Sequence, residues 1–286
     1  MNVTVWDETG GQGPPAVFVH NIFTWGSDDV YGFAAQRPLA DRARLLLVDR
    51  RGYGRSPDVE RNDFEVDADD VVGLLDESST ASDGRGRGRG NDGGGGHGDG
   101  VHGDGVHLVG HGNGGVIAML AAARRADLVR SLTLIQPSAF TAAAQHPVVA
   151  KLLSRVTGAA PQVADSMGAV EFLRNSTEGI GMPMPEPTPE RLRAVATSMR
   201  ERPIWEADVP VKPLRAAPFP TLVICGTWED APELYRTHVG EPLVAVAETL
   251  TETLGAHLLR VPGFYPHTQE PDAVNEALRE LWGRAG

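Results

Sequence analysis

The stretch Val106-His107-Leu108-Val109-Gly110-His111-Gly112-Asn113-Gly114-Gly115 reads as a strand, a tight turn and the start of a helix. In the pattern G-x-S-x-G, such a turn lifts a nucleophile onto strained backbone at the top of a sheet. Here the pattern is Gly110-His111-Gly112-Asn113-Gly114, with glycine in the serine position. Covalent acyl transfer needs a side-chain nucleophile activated by a base, and glycine supplies none. Ordinary serine hydrolysis is therefore excluded at this position. No substitute presents itself. Cys225 lies within an apolar strand segment and reads as a small core residue. Ser138 lies just past a strand end but lacks the elbow that would expose it.

Other chemistries fit less well. Gly110-x-Gly112-x-x-Gly115 satisfies the G-x-G-x-x-G dinucleotide fingerprint. That fingerprint wants an acidic residue at the end of the next strand, where this chain has Gln136, and it opens a chain rather than following a fourth strand. No cofactor is expected. His97, His102 and His107 recur every five residues, but spacing on a glycine-rich chain fixes no metal geometry, so no metal is expected. The Arg-Gly run at Arg85–Gly90 stands among aspartates and reads as solvated linker rather than an RNA contact.

The elements that must position the turn follow from the apolar pattern. Strands are expected at Val3–Trp6, Ala16–His20, Arg44–Asp49, Val106–Gly110, Ser131–Gln136, Thr221–Gly226 and His257–Val261. Their near-continuous Val/Leu/Ile content suits strands buried on both faces. Helices are expected at Phe33–Asp41, Val66–Glu77, Asn113–Arg125, Pro242–Leu254 and Asp272–Gly283. In the last, Val274, Ala277, Leu278 and Leu281 give the i, i+3, i+4, i+7 stripe of an amphipathic helix. The alternation predicts an α/β fold: a mostly parallel twisted sheet with helices on both faces.

Two stretches break the alternation. Residues 78–105 hold 12 glycines in 28 positions, too little apolar surface to offset ordering entropy, so a mobile loop within the core is expected. Residues 137–217 carry helical patches at Val148–Val156, Ala169–Asn175 and Pro189–Arg200, with a proline-rich connector at Pro183–Pro189. Placed after a strand end, this insertion would lie above the carboxyl ends of the strands, where open α/β sheets bind ligands. It reads as a helical lid on a core formed by residues 1–136 and 218–286.

Bulk composition bounds the function. The chain has 286 residues, 41% hydrophobic and 22% charged, which is ordinary globular usage. A net charge of −12 would repel nucleic acid. A single cysteine permits no internal disulfide, and neither a signal peptide nor a membrane span is evident. A cytoplasmic protein with a small-molecule substrate is the expectation; oligomeric state is left open.

Taken together, these motifs resemble the α/β-hydrolase superfamily over nearly the whole chain outside residues 78–105. Val19-His20-Asn21 is similar to the family's His-Gly segment, and Asp49-Arg50-Arg51-Gly52-Tyr53-Gly54-Arg55-Ser56 closely resembles its D-x-R-G-x-G-x-S stretch. The resemblance implies an acid after the strand Thr221–Gly226, where Glu229 and Asp230 both qualify. It implies a histidine after the last strand, where Gly263-Phe264-Tyr265-Pro266-His267 places His267 one residue late. It implies oxyanion-hole N–H groups near Ile22 and Asn113. Gly112 also excludes the aspartate nucleophile of similar dehalogenases and epoxide hydrolases.

What remains is a base, His267, oriented by Glu229 or Asp230, and an oxyanion hole. Such a pair stabilises enolates without covalent catalysis, as the superfamily's cofactor-free dioxygenases and some lyases are said to do. His20, Asn21, Phe23, Trp25, His111, Trp228 and Tyr265 would line an apolar pocket, with core packing as the alternative for the aromatics. Three readings stay open: non-hydrolytic acid/base catalysis, a serine hydrolase inactivated at Gly112, and a non-catalytic ligand binder.

Overall fold

A computed structural model describes residues 1–83, 105–159 and 167–285. Seven strands form one sheet in the order β1-β3-β2-β4-β5-β6-β7: β1 (Asn2–Trp6), β2 (Pro15–Val19), β3 (Arg44–Asp49), β4 (Val106–His111), β5 (Val129–Ile135), β6 (Thr221–Gly226) and β7 (His257–Val261). Only β1 runs antiparallel, against β3. The other six are parallel, so their carboxyl ends share one edge. All seven expected strands form, within two residues at each end.

Two-sided burial explains why. In β2 every residue is buried: Val17 and Val19 face one core, Ala16 and Phe18 the other. The first core is covered by α1 (Phe64–Asp83) and α2 (Asn113–Arg124), with their Val71, Leu75, Val116 and Leu120. The second is covered by Phe33, by a short 3-10 helix (Ala34–Asp41) and by the C-terminal helix, through Leu39, Val274, Leu278 and Trp282. Strand side chains alternate between faces, so a run of apolar residues must feed two layers.

Between β5 and β6 run α3 (Pro147–Ala159), α4 (Ala169–Thr177), α5 (Pro189–Ser198) and α6 (Val211–Ala216). Three of these match the expected helical patches, and α6 was not foreseen. After β6 come α7 (Glu233–Tyr235), a π-helical turn (Arg236–Gly240) and α8 (Glu241–Leu254), which completes the first core through Val246 and Leu250. After β7 come α9 (Pro266–Gln269) and α10 (Pro271–Arg284).

The differences from expectation are local. Residues 34–41 wind as 3-10 rather than α-helix, with Pro38 inside, whose missing N–H cannot join an α-helical ladder. Ser78–Asp83, expected in the glycine-rich loop, continue α1; residues 84–104, with His97 and His102, lie outside the described residues. His107, the third histidine of that series, is a core residue of β4. Its ring stacks on Trp282 with centroids 5.0 Å apart, and Nδ1 is bonded to Ser131 Oγ at 2.8 Å. Among the described residues no cluster of three metal-ligating side chains occurs, and no helix is long and apolar enough to cross a membrane.

Candidate active site

The turn after β4 keeps the elbow geometry without its side chain. Gly112 has φ 56° and ψ −118°, in the left-handed half of the map that glycine enters without strain. Gly112 O accepts from the N–H groups of Gly115 and Ser138, both at 3.0 Å, and its own N–H donates to Ile135 O at 3.1 Å. Gly114 lets the helix press on β2, since a Cβ there would collide with the backbone of Val19 and His20. A Cβ at Gly112 would overlap the carboxamide of Asn21. Asn21 therefore fills the space that a nucleophile would occupy.

The same carboxamide occupies the expected oxyanion site. Asn113 N–H donates to Asn21 Oδ1 at 2.9 Å. A neutral acyl oxygen thus sits where a developing oxyanion would be held. Asn21 is held in turn by its backbone carbonyl, which accepts from His20 Nδ1 at 2.6 Å and from Arg50 at 3.4 Å. His20 Nε2 receives the Arg50 backbone N–H at 3.1 Å, which fixes the Nδ1–H tautomer. Burial first, and then the Arg50 charge, drives the His20 imidazolium well below the ordinary histidine range.

His267 is fully buried at the start of α9. Its ring lies 4.3 Å from that of His111 and 5.4 Å from Phe33, centroid to centroid. Nε2 bonds the backbone carbonyl of Tyr31 at 3.2 Å, while Nδ1 meets no hydrogen-bond partner among the described residues. Gln36 Nε2 donates to the His267 carbonyl at 2.7 Å. Burial lowers its pKa to about 4, partly offset by the Tyr31 hydrogen bond. His111 is also pushed well below its ordinary value, first by burial and then by His267 and His20.

The expected acids do not reach this ring. Glu229 and Asp230 are both exposed in the loop after β6, where Trp228 turns inward instead, with φ 63°. Trp228 N–H donates to Gly263 O at 3.0 Å, and the indole packs on Tyr235 and Phe264. An indole gains by burial where an unpaired carboxylate would lose its hydration, which favours this orientation. The Tyr31 carbonyl is the partner that His267 has instead.

The expected pocket residues fall into three groups. His20, Asn21, His111 and Asn113 gather around Gly112. Ile22, the other expected oxyanion donor, is half-buried in the same turn. Phe23 and Trp25 face the insertion: Phe23 meets Phe172 of α4 at 5.9 Å, and the guanidinium of Arg191 lies 4.9 Å over Trp25. Tyr265 and Trp228 belong to an aromatic cluster on the β6–β7 side. There Tyr235 donates to Tyr265 Oη at 2.7 Å, and Tyr265 packs on Tyr31.

Several residues now prominent at the site were assigned no role from sequence. Glu201, following α5, places Oε2 3.4 Å from Asn113 Nδ2. Its Oε1 receives Tyr53 Oη at 2.7 Å and lies 2.7 Å from the buried Arg50 guanidinium, which also pairs with Asp67. Two carboxylates thus share one buried cation. Burial, the largest cause, and the Glu201 charge raise Asp67 to about 6 against the opposing pull of Arg50. Asp28 and Arg191 form a second buried ion pair, bidentate at 2.7 and 2.8 Å. A charged residue gives no sequence sign that it is buried, whether in the insertion, as Arg191 is, or in the core, as Asp28 and Asp67 are. Gln136 is a clamp: it donates to Phe264 O and accepts from Gly226 N–H, both at 3.0 Å, tasks that need an amide rather than a carboxylate.

Among solved structures, the chain is similar to MenH from S. aureus, with 13% identity, TM-score 0.69, and 100% of this chain and 99% of that chain covered. It is also similar to a thermophilic esterase from Thermogutta terrifontis, with 23% identity, TM-score 0.57, and 99% and 93% covered. A third is the enol-lactonase from Burkholderia xenovorans LB400, with 17% identity, TM-score 0.57, and 98% and 95% covered. At these identities the likeness shows the fold. No curated protein matches the sequence significantly. The alpha/beta hydrolase family model matches residues 16–277, which spans the elbow, all six parallel strands but the first residue of β2, and the His267 turn. The chain belongs to the alpha/beta hydrolase family.

Proposed function

We propose that the protein is an enzyme of non-hydrolytic acid/base chemistry on a small, largely apolar carbonyl compound, with residues 137–217 acting as the lid over its site. The observation that carries this reading is the Asn21 carboxamide on the Asn113 N–H at 2.9 Å: a position suited to a carbonyl oxygen, beside an elbow residue, Gly112, that supplies no nucleophile. In the proposed step Asn21 swings aside and the substrate carbonyl takes its place. A proton leaves the carbon next to that carbonyl for the His267 imidazole, and the electron pair moves onto the oxygen held by Asn113 N–H, with Ile22 N–H as second donor. The imidazolium then returns the proton to another carbon or to a leaving group, and no cofactor is consumed. An imidazole whose pKa is about 4 is unprotonated at neutral pH but a weak base. It suits carbon acids already acidified, such as 1,3-dicarbonyl or vinylogous compounds.

The second reading, a non-catalytic ligand binder, is favoured because the partner of His267 is a backbone carbonyl and, among the described residues, no carboxylate bonds its ring. An otherwise intact hydrolase that merely lost its serine is less well supported, because a serine at 112 would collide with Asn21. Solvent deuterium exchange at the α-carbon of a panel of 1,3-dicarbonyl compounds, followed by NMR, separates the readings. Exchange that falls by about two to four orders of magnitude in His267→Ala supports the enzyme. Binding without exchange supports the binder, and labelling of the protein by a fluorophosphonate would overturn both.

A further inference from the structure

His267 has a hydrogen-bond partner that the sequence does not announce, and that partner is itself held from the insertion. Arg191 of α5 is buried; its guanidinium meets Asp28 through both nitrogens, at 2.7 and 2.8 Å, and donates to Phe23 O as well. The rings of Trp25 and Tyr31 flank it at 4.9 and 5.1 Å. Asp28 has almost no exposed surface, and its carboxylate also accepts from Thr24 Oγ1 at 2.6 Å, Val30 N–H at 3.3 Å and Tyr31 N–H at 3.2 Å. The loop 28–31 is thus wound around a carboxylate that the insertion neutralises. The next group in this series is Tyr31 O, on the His267 ring.

We infer that Arg191 and Asp28 are positioning residues for His267: the ion pair sets the Tyr31 carbonyl, and that carbonyl holds the imidazole as its Nε2–H tautomer with the lone pair on Nδ1. A carbonyl only accepts, so the neutral ring must donate from Nε2. Nδ1, buried and without a partner among the described residues, is then the atom that accepts a proton. This atom assignment deepens the proposed function, whereas the positioning itself holds whether or not His267 works in turnover. In a serine triad the carboxylate orients the ring by accepting its other N–H. Here the carboxylate acts one residue removed, through backbone, and its own counter-ion comes from a helix between β5 and β6.

The test uses the full-length protein uniformly labelled with 15N. Long-range 15N–1H correlations assign the protonated nitrogen of His267, and solvent exchange of that proton is read alongside. The parent should show Nε2–H, exchanging slowly. Removing one partner of a buried pair strands the other charge and threatens folding, whereas replacing both by apolar residues is tolerated. The informative variant is therefore Asp28→Leu/Arg191→Met, with Arg191→Lys as the conservative comparison. In the double variant the Nε2 proton should exchange at least tenfold faster and the tautomers should mix, with the spectrum of α1, α2 and α10 unchanged. Arg191→Lys should restore the parent signal in part. His267→Gln, which keeps a donor near the Nε2 position, should leave the loop 28–31 intact where His267→Ala loosens it. An Nδ1–H tautomer in the parent, or an unaltered His267 signal in the double variant, overturns the inference. A shifted tautomer with α-carbon exchange indifferent to His267→Ala would leave the positioning standing and remove the proposed function alone.

Discussion

His111 and His267 face each other with ring centroids 4.3 Å apart, both shut off from water. With His20 and His107 they make four histidines held neutral by burial; His267 is lowered to about 4 and His107 to about 3. Their folded pKa values lie below the unfolded value, so their contribution is intact above about pH 6.5 and is lost as pH falls below it. Each costs roughly 1.4 kcal/mol per pH unit until its folded pKa is reached. Asp67, raised to about 6, acts oppositely and gains as pH falls from about 6 toward 4. Unfolding between pH 6 and 4 should therefore take up protons on balance, read from urea midpoints at successive pH values. Stability that stays flat over that range would show these imidazoles to be solvated.

The overlap of Asn21 with the missing Gly112 side chain predicts strong coupling. Gly112→Ser should cost about 2–4 kcal/mol, combining backbone strain with steric overlap. Asn21→Gly in the same chain should recover about 1–3 kcal/mol of that, a non-additivity visible in a double-mutant cycle. Additive energies would mean that Asn21 does not occupy the site.

The Glu201 charge adds to burial in raising Asp67, the two carboxylates lying on the same Arg50. Glu201→Gln keeps the shape and removes one negative charge, so the Asp67 midpoint should fall from about 6 as the pull of Arg50 gains weight. Carbon-detected NMR titration reads the midpoint directly. No movement would place Glu201 electrically apart from Asp67.

Gln136→Glu introduces a carboxylate at the end of β5 but removes the donor to Phe264 O. The unpaired carbonyl and buried charge should together cost about 2–4 kcal/mol in denaturant unfolding. A variant as stable as the parent would show that the amide is not the clamp between β5 and the 263–265 turn.

The strands were legible because burial on both faces leaves an unbroken apolar run, and the elbow because its glycines are dictated by backbone approach. The D-x-R-G-x-G-x-S stretch was legible for a similar reason: Asp49 takes N–H groups from Gly26 and Arg55, and Gly54 leaves room for it. The surroundings of His267 were not. A backbone carbonyl such as Tyr31 O has no side-chain signature, and Asp28 lies 163 residues from the arginine that neutralises it. Glu229 and Asp230 looked suitable because a sequence shows which residues follow a strand but not which one turns inward. Composition alone places Ser78–Asp83 in the glycine-rich loop, although α1 carries them as a continued helix.

The Asn21 carboxamide also sets a threshold for whatever binds above Gly112. It is a competitor tethered to the site, so a ligand with a neutral carbonyl merely exchanges one amide-like acceptor for another and gains little from the Asn113 N–H. An acceptor that carries negative charge forms a bond roughly twice as strong and displaces the tether at a profit. The tether thereby subtracts nearly the same energy from every resting ligand and leaves the surplus for the charged form alone. Interactions stronger for the charged species than for the ground state are those that accelerate a reaction.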